Sequence, residues 1–478
     1  MAFVLLSKTL ILEEAAADFR ELIAYLQSRG LTPLISTAKA KAYEVFGVTH
    51  EQVANAAGSG TGYTYILGEL GTSVSTSQPS NAELFNSKDR KSLLFVATGS
   101  GNDPEGKSHK ILDIGLIGQS DARPEYESLI AHVGDFVRSK GAALSWVTKV
   151  PTHAMSEFTQ AGDVKFLAGS QITDVERRLS AKLEDARLRK LALLIKSSGG
   201  ILGSDLLRKG AAGVDDPLQA MTELENAGLV STNYVVICKR TSNQVARLLS
   251  KDKVAEIAKL GVSCSCGNQI ANERIEDLIV PAAILEKMLT QSYWMSARLV
   301  TELESLGVDP DKILLNLQDS PEEIDAFVDV EDTLLMFELK DAEFSMGHAY
   351  SFGARIAMYK PAYAVMVSTK GIGPEVREHF KKIKPASEVI YVSNLAELKQ
   401  ALADVVQKVR STKAGGLLEN FERFARFEIP LNVIAEAVLG VKVEKKGLEL
   451  GSFWSDSLRS TSFKSRTKAR KGSAFYGE

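Results

Sequence analysis

The chain has 478 residues, 45% of them hydrophobic and 24% charged, with a formal net charge of −3. That length asks for roughly three cores rather than one, and the balance is that of a globular protein, which argues against a disordered or membrane-spanning chain. No run approaches the ~20 apolar residues that cross a bilayer, and Met1 to Leu6 carries no basic flank. The three cysteines, Cys238, Cys264 and Cys266, make no disulfide framework, so a cytoplasmic setting is expected.

Residues 1–150 read as an N-terminal α/β domain of unknown role, with an apolar opening, an amphipathic helix around Leu12 to Arg29 and a strand at Ser92 to Ala97. Gly101 to Ser108 has the letters of a phosphate-binding loop. However, His109 to Gly118 reads as a strand, not as the helix whose amides would hold phosphates, and Pro104 sits in the cradle. A polar hairpin loop is expected instead of a nucleotide site. Residues 151–184 read as a linker with a helix.

Residues 185–245 change to short helices followed by strands. Leu191 to Ile195 closes one helix and Ser204 to Lys209 makes a second. Asp216-Pro217 supplies a cap and an N1 proline for a third, Leu218 to Ala227, which Gly228 can end. With Leu229-Val230 and Tyr234 to Cys238 as a small β-wing, the segment resembles a winged helix, which implies a DNA-binding module. Yet the third helix offers Gln219, Thr222, Glu223, Glu225 and Asn226 and no cation, so protein docking or dimerisation stands beside base contact. In the connector 246–281, Cys264-Ser265-Cys266-Gly267 resembles a zinc-ribbon knuckle, with Cys238 as a distant third thiolate. The one-residue separation, and histidines no nearer than His153 and His348, favour a degenerate structural knuckle over bound Zn²⁺ at Cys264 and Cys266.

In residues 282–412 the order of elements carries the argument. A helical stretch, Ala282 to Leu306, divides around Ser292. Lys312 to Leu317 is a short strand, and Glu323 to Val330 and Thr333 to Lys340 form a hairpin around Glu331-Asp332. Phe344 to Tyr359 is helical, Ala362 to Thr369 is a fully apolar strand, Pro374 to Lys382 a helix, Val389 to Val392 a last strand and Leu395 to Val409 a last helix. Glu323-Ile324-Asp325 sets two carboxylates on one side of a strand, and Glu338-Leu339-Lys340 repeats that geometry on its neighbour. Glu338 follows Asp325 by thirteen residues, a spacing a hairpin can close. Converging carboxylates make an all-oxygen site that suits Mg²⁺ or Mn²⁺. Lys340 could orient or deprotonate a water there if partial burial depresses its pKa. Leu334 to Phe337 is apolar at every position, so the strand is expected to be central, where idle charge is costly.

Together these residues resemble the PD-(D/E)XK, or restriction-endonuclease-like, nuclease superfamily over roughly Ala282 to Val409. With the winged helix upstream, the arrangement also resembles Mrr-like restriction enzymes. The pattern departs at one point, since no proline precedes Asp325. The resemblance implies an α/β fold with a mixed β-sheet core and flanking helices, beside the winged-helix and N-terminal α/β domains. It implies a metal-dependent endonuclease acting on DNA, in restriction or antiviral defence, with Asp325, Glu338 and Lys340 catalytic. Asp325 and Glu338 would be metal ligands, with Glu323 as an auxiliary acidic ligand. Glu343, His348, Tyr350 and Arg355 are candidate auxiliary groups, with helix capping and surface packing as their alternative roles. Residues 413–478 read as a helical extension ending in a basic tail, in which Arg459, Lys464, Arg466, Lys468, Arg470 and Lys471 are expected to form a solvated disordered tail, with phosphate contact as the alternative. A homo-oligomer or partner subunit is expected, and no membrane. An RNA-cutting or ligand-activated nuclease and a silent nuclease-like assembly module are the rival readings.

Overall fold

The computed structural model describes residues 3–12, 18–37, 81–88, 91–102, 108–146, 155, 165–208, 213–319, 322–422 and 438. The loop tip 103–107 and the basic stretch 459–471 lie outside the described residues. The chain is a mixed α/β protein with several sheets, and it divides into two compact units. One comprises Met1–Gly162, Asp329–Leu334 and Ala403–Glu478, the other Asp163–Val328 and Leu335–Leu402. Among the described residues no helix is long and apolar enough to cross a membrane.

The first unit holds a sheet of β1 (Phe3–Leu12), β2 (Asn81–Asn86), β3 (Ser92–Asn102), β4 (Ser108–Gln119) and β5 (Ser145–Trp146), in the order β2-β3-β4-β1-β5 with every pairing antiparallel. β1 continues through Leu12, opposite Lys110, so the first helix starts later than its apolar periodicity suggests. α1 (Phe19–Ser28) begins where the Asp18 carboxylate accepts from the amides of Arg20 and Glu21, at 2.9 and 3.2 Å. α1 and α2 (Arg123–Ser139) cover one face through Leu22, Leu26, Leu129, Val133 and Phe136. Ala414, Leu417, Leu418 and Phe421 close the other, against Phe3, Leu5 and Phe95. Burial on both faces explains why β3 and β4 read as apolar runs without alternation. Phe95 lies across Gly115 in the register, and a Cβ there would meet its ring at 2.1 Å, so glycine makes room for the aromatic side chain. β3 and β4 pair out to Asn102 and Ser108, so the flanks of the phosphate-loop letters form a hairpin.

The second unit carries two sheets. β7 (Ile201–Leu202), β8 (Val230–Ile237), β9 (Gln244–Leu248) and β10 (Arg274–Pro281) run in the order β7-β10-β8-β9, preceded by α3 (Asp174–Leu183) and accompanied by α4 (Ala186–Ser197), α5 (Gly203–Arg208) and α6 (Pro217–Asn226). Leu229-Val230 and Tyr234 to Cys238 are not separate wing strands. Val230 to Ile237 is continuous because β10, from the segment read as a connector, pairs along its whole length. The polar Ser231-Thr232-Asn233 is held extended by that ladder, with the Thr232 hydroxyl donating to Glu225 at 2.9 Å. On α6, Glu223 accepts from Arg187 at 2.7 Å.

The larger sheet has six strands: β6 (Lys165–Ala168), β11 (Ile313–Asp319), β12 (Glu322–Val330), β13 (Thr333–Lys340), β14 (Tyr363–Ser368) and β15 (Glu388–Val392). Their order is β15-β14-β13-β12-β11-β6. β6 comes from the segment read as linker and pairs antiparallel with β11. β13, β14 and β15 are parallel, linked by α10 (Met346–Tyr359) and α11 (Pro374–Ile383). Ahead of the sheet, α7 (Asp252–Lys259) follows β9. The helical stretch after β10 divides, as expected, into α8 (Ala283–Leu289) and α9 (Tyr293–Ser305), with Gln291 and Ser292 in left-handed conformations between them. α12 (Leu398–Glu422) runs past its expected end at Val409, through Gly415-Gly416, because Ala414, Leu417, Leu418 and Phe421 are buried.

Candidate active site

Glu331 and Asp332 both have positive φ, 48° and 59°, which matches the tight two-residue turn that joins twisted strands. That turn makes β12 and β13 neighbours and sets their register. β13 lies inside the sheet, flanked by β12 and β14, and Leu334 through Leu339 are all buried. Glu338, on this strand, is 3% exposed.

Three side chains meet at the far end of the hairpin. The Lys340 ammonium lies 2.8 Å from Glu338 Oε1 and 3.3 Å from Asp325 Oδ2. The amide of Leu339 donates to the same Asp325 oxygen at 2.6 Å, which fixes that carboxylate against the neighbouring strand. Arg355, from α10, donates to Glu338 Oε2 at 2.7 Å, so the helix after β13 adds a second cation. Glu338 forms a buried floor, while Asp325 and Lys340 keep 18% and 26% of their side-chain surface open.

Burial raises the Glu338 pKa, and the nearby Asp325 charge raises it further, against the partial offset of Lys340 and Arg355. For Lys340, burial acts downward, but the Asp325 and Glu338 carboxylates outweigh it and hold the ammonium above the ordinary lysine value. This corrects the expectation of a lysine depressed by partial burial: the two counter-charges stand too close. His348 is lowered by burial and then by the Lys340 charge, with Asp325 opposing. It is therefore a neutral imidazole near pH 7, consistent with its Nδ1 accepting from the Ser345 amide at 3.1 Å as part of the α10 cap.

The other candidates separate. Glu323 lies two residues from Asp325, and its carboxylate meets Gln291 Nε2 at 3.5 Å. Tyr350 is 61% exposed and packs edge-on against His379, 5.0 Å between centroids, and Glu343 is exposed. Of the four auxiliary residues, Arg355 is the one that contacts a core carboxylate. Asp341, which the sequence reading passed over, accepts from Thr369 at 2.8 Å and pairs at 3.0 Å with Arg189, itself only 7% exposed. Its only sequence signal was adjacency to Lys340. The cysteines also come together, with Cys238, Cys264, Cys266 and Glu273 offering ligand atoms within 4.8 Å of one another. Glu273 was not among the expected ligands, because a carboxylate seven residues beyond Cys266 has none of the spacing of a zinc-ribbon ligand.

Neither a protein-family model nor a curated protein matches this chain. Among solved structures, it is similar to the protein VC1899 from Vibrio cholerae at 13% identity and a TM-score of 0.28. The match covers 56% of this chain and 64% of that one, so the chain spans less than two thirds of its neighbour's length. Likeness of that degree informs neither the fold nor the activity.

The donor set itself can be tested for a cation. Two carboxylates already converge on one positive centre, the Lys340 ammonium, so the position suits positive charge. All their ligand atoms are oxygen, as Mg²⁺ and Mn²⁺ require.

Proposed function

We propose that the chain is a divalent-metal-dependent endonuclease that hydrolyses phosphodiester bonds in DNA. In this reading residues around Ala282 to Val409 form a restriction-endonuclease-like core. The observation that carries it is the Lys340 ammonium shared between Asp325 and Glu338 on neighbouring inner strands. Asp325 and Glu338 would hold Mg²⁺ or Mn²⁺, which supplies an acidified water and neutralises charge on the phosphate. Lys340, which carries its proton between the two carboxylates in the metal-free chain, would orient the attacking water and meet negative charge growing on the phosphate. Arg355 holds Glu338 Oε2 and thereby aims Oε1, the oxygen beside Lys340. Glu323, on the same side of its strand as Asp325, is a further carboxylate for that cation.

The helices and four-stranded sheet of residues 185–281 fit a winged-helix-like targeting module. Because α6 exposes no cation and its Glu223 is engaged by Arg187, docking of a protein or a second copy suits that helix better than base contact. Cutting both strands needs two such centres, which supports a dimer. A restriction or defence role is part of this proposal and rests only on the resemblance to modular nucleases of that kind. One observation favours a second reading: both oxygens of Glu338 are engaged by cations of the chain itself, as expected of a silent, structural descendant of such a core.

The deciding experiment incubates the purified chain with plasmid, linear DNA and RNA, in Mg²⁺, Mn²⁺ or EDTA. Cleavage of DNA that needs the metal and is lost in Asp325→Asn supports the proposal. Cleavage of RNA alone moves the substrate class, and no cleavage of any substrate leaves the silent module.

A further inference from the structure

Outside the candidate active site, the second unit gathers its three cysteines. Cys238 follows β8 and opens a tight turn, with its amide donating to the Asn243 carbonyl at 2.9 Å and its own carbonyl accepting from Ser242 at 2.8 Å. Within that turn the Thr241 amide points at Cys238 Sγ, 3.4 Å away. A second turn faces it. The Cys264 amide donates to Asn268 at 2.7 Å, and the Gly267 amide returns to the Cys264 carbonyl at 2.8 Å. Gly267 has φ +92°, a conformation that favours glycine and closes the loop so that both thiols of Cys264-Ser265-Cys266 reach one side. Glu273 completes the group. Its Oε1 lies 3.2 Å from Cys266 Sγ, while its Oε2 is held by the Lys239 amide at 2.6 Å.

We propose that Cys238, Cys264, Cys266 and Glu273 form a structural Zn²⁺ site that pins the β8–β9 turn to the segment between α7 and β10. Three sulfurs and one oxygen within 4.8 Å of one another are a soft, four-donor set with no position left for a substrate, which fits a closed zinc site and not a Mg²⁺ site. Cys238, Cys264 and Glu273 are buried at 1%, 4% and 5% exposure, and a buried carboxylate against thiols calls for a counter-cation. The amides of Thr241 and Lys239 act as the outer shell that aims a ligand sulfur and a ligand carboxylate. The local core is small: Val236, Leu248, Val254 and Ile270 are the buried members of the cluster beneath, and Val254 is the one buried residue of α7. A lobe of that size gains from a metal staple, since zinc binding then contributes to folding. The one-residue spacing of Cys264 and Cys266 is accommodated because the other two ligands arrive from separate segments.

The test uses the full chain purified under reductant. Elemental analysis should find one equivalent of zinc. Replacement by Co²⁺ should produce thiolate-to-metal charge-transfer absorption with the visible bands of a tetrahedral site. Zinc should be lost in Cys264→Ser combined with Cys266→Ser, held more weakly against a competing chelator in Glu273→Gln, and retained in Asp325→Ala combined with Glu338→Ala. Should the double cysteine variant fail to fold, organomercurial titration of the unaltered chain decides, because zinc release should track modification of the three thiols. The proposal is overturned by reduced protein that holds no zinc and gives no cobalt charge transfer. Zinc that persists without Cys264 and Cys266, or a disulfide joining two of the cysteines in the purified protein, overturns it equally.

Discussion

Lys340 and Glu338 set opposite demands on one small volume, and their pH linkage exposes it. Both groups bind protons more tightly folded than unfolded. A raised pKa contributes stability fully present below the group's ordinary value and lost as pH climbs through the folded value. For Glu338 that loss begins just above the usual carboxyl range, because burial penalises the ionised form. For Lys340 it begins only above the usual lysine range. In chelator, Glu338→Gln should therefore be as stable as the unaltered chain, or more so, at neutral pH, with the gain shrinking toward pH ~4. Thermal denaturation across that range checks it, and a variant that loses most at neutral pH would contradict the burial argument. The same substitution should abolish cleavage, the usual trade at a site built for chemistry. Lys340→Ala should cut the cleavage rate by about 10²-fold or more with the fold retained.

At the scale of elements, the hairpin is where the sequence spoke most directly. Two apolar-rich strands, a two-residue turn and carboxylates at alternate positions are local facts, and local facts survive folding. Glu331 adds a constraint the pattern did not show. Its carboxylate lies 3.5 Å from Arg410 Nε, and Arg410 is 2% exposed with its Nη1 on the Phe3 carbonyl at 2.8 Å. Burial lowers the Arg410 pKa and Glu331 works against that. Glu331→Gln should leave a buried guanidinium undercompensated and cost about 3 kcal/mol in chemical denaturation. Asp332→Gly, at the other left-handed position of the turn, should change stability by about 0.5 kcal/mol or less. What the sequence hid was non-local. β10 lay in the segment read as connector; three of the four residues Arg274-Ile275-Glu276-Asp277 are charged, and pairing with β8 is what makes it a strand. Glu273 carried no local signal, since the two turns that bring the cysteines to it are distant in sequence.

For the whole molecule, the consequence lies in how the chain is shared between units. Sequence order suggested an independent first domain ending near residue 150, yet that unit also takes residues 329–334 and everything from Ala403 onward. The last helix was expected to end at Val409, yet it runs on through Gly415-Gly416: glycine costs a helix only ~1 kcal/mol each, while burying Leu417, Leu418 and Phe421 returns roughly 1.5–3 kcal/mol per large side chain. Burial wins, and α12 continues into the core beside Phe3, Leu5 and Phe95, with Phe95 and Phe421 rings 5.5 Å apart. The N-terminal sheet therefore lacks one of its two covering layers until the far end of the chain is present. Phe421→Ala should destabilise this unit by about 3–5 kcal/mol through the cavity it leaves. A fragment of residues 1–162 expressed alone should expose the face that Phe3, Leu93 and Phe95 share, bind a hydrophobic dye and aggregate. Supplying residues 403–478 in trans should restore solubility, because the missing layer is returned without restoring the chain connection. A soluble, cooperatively unfolding 1–162 fragment would show instead that the sheet closes without α12.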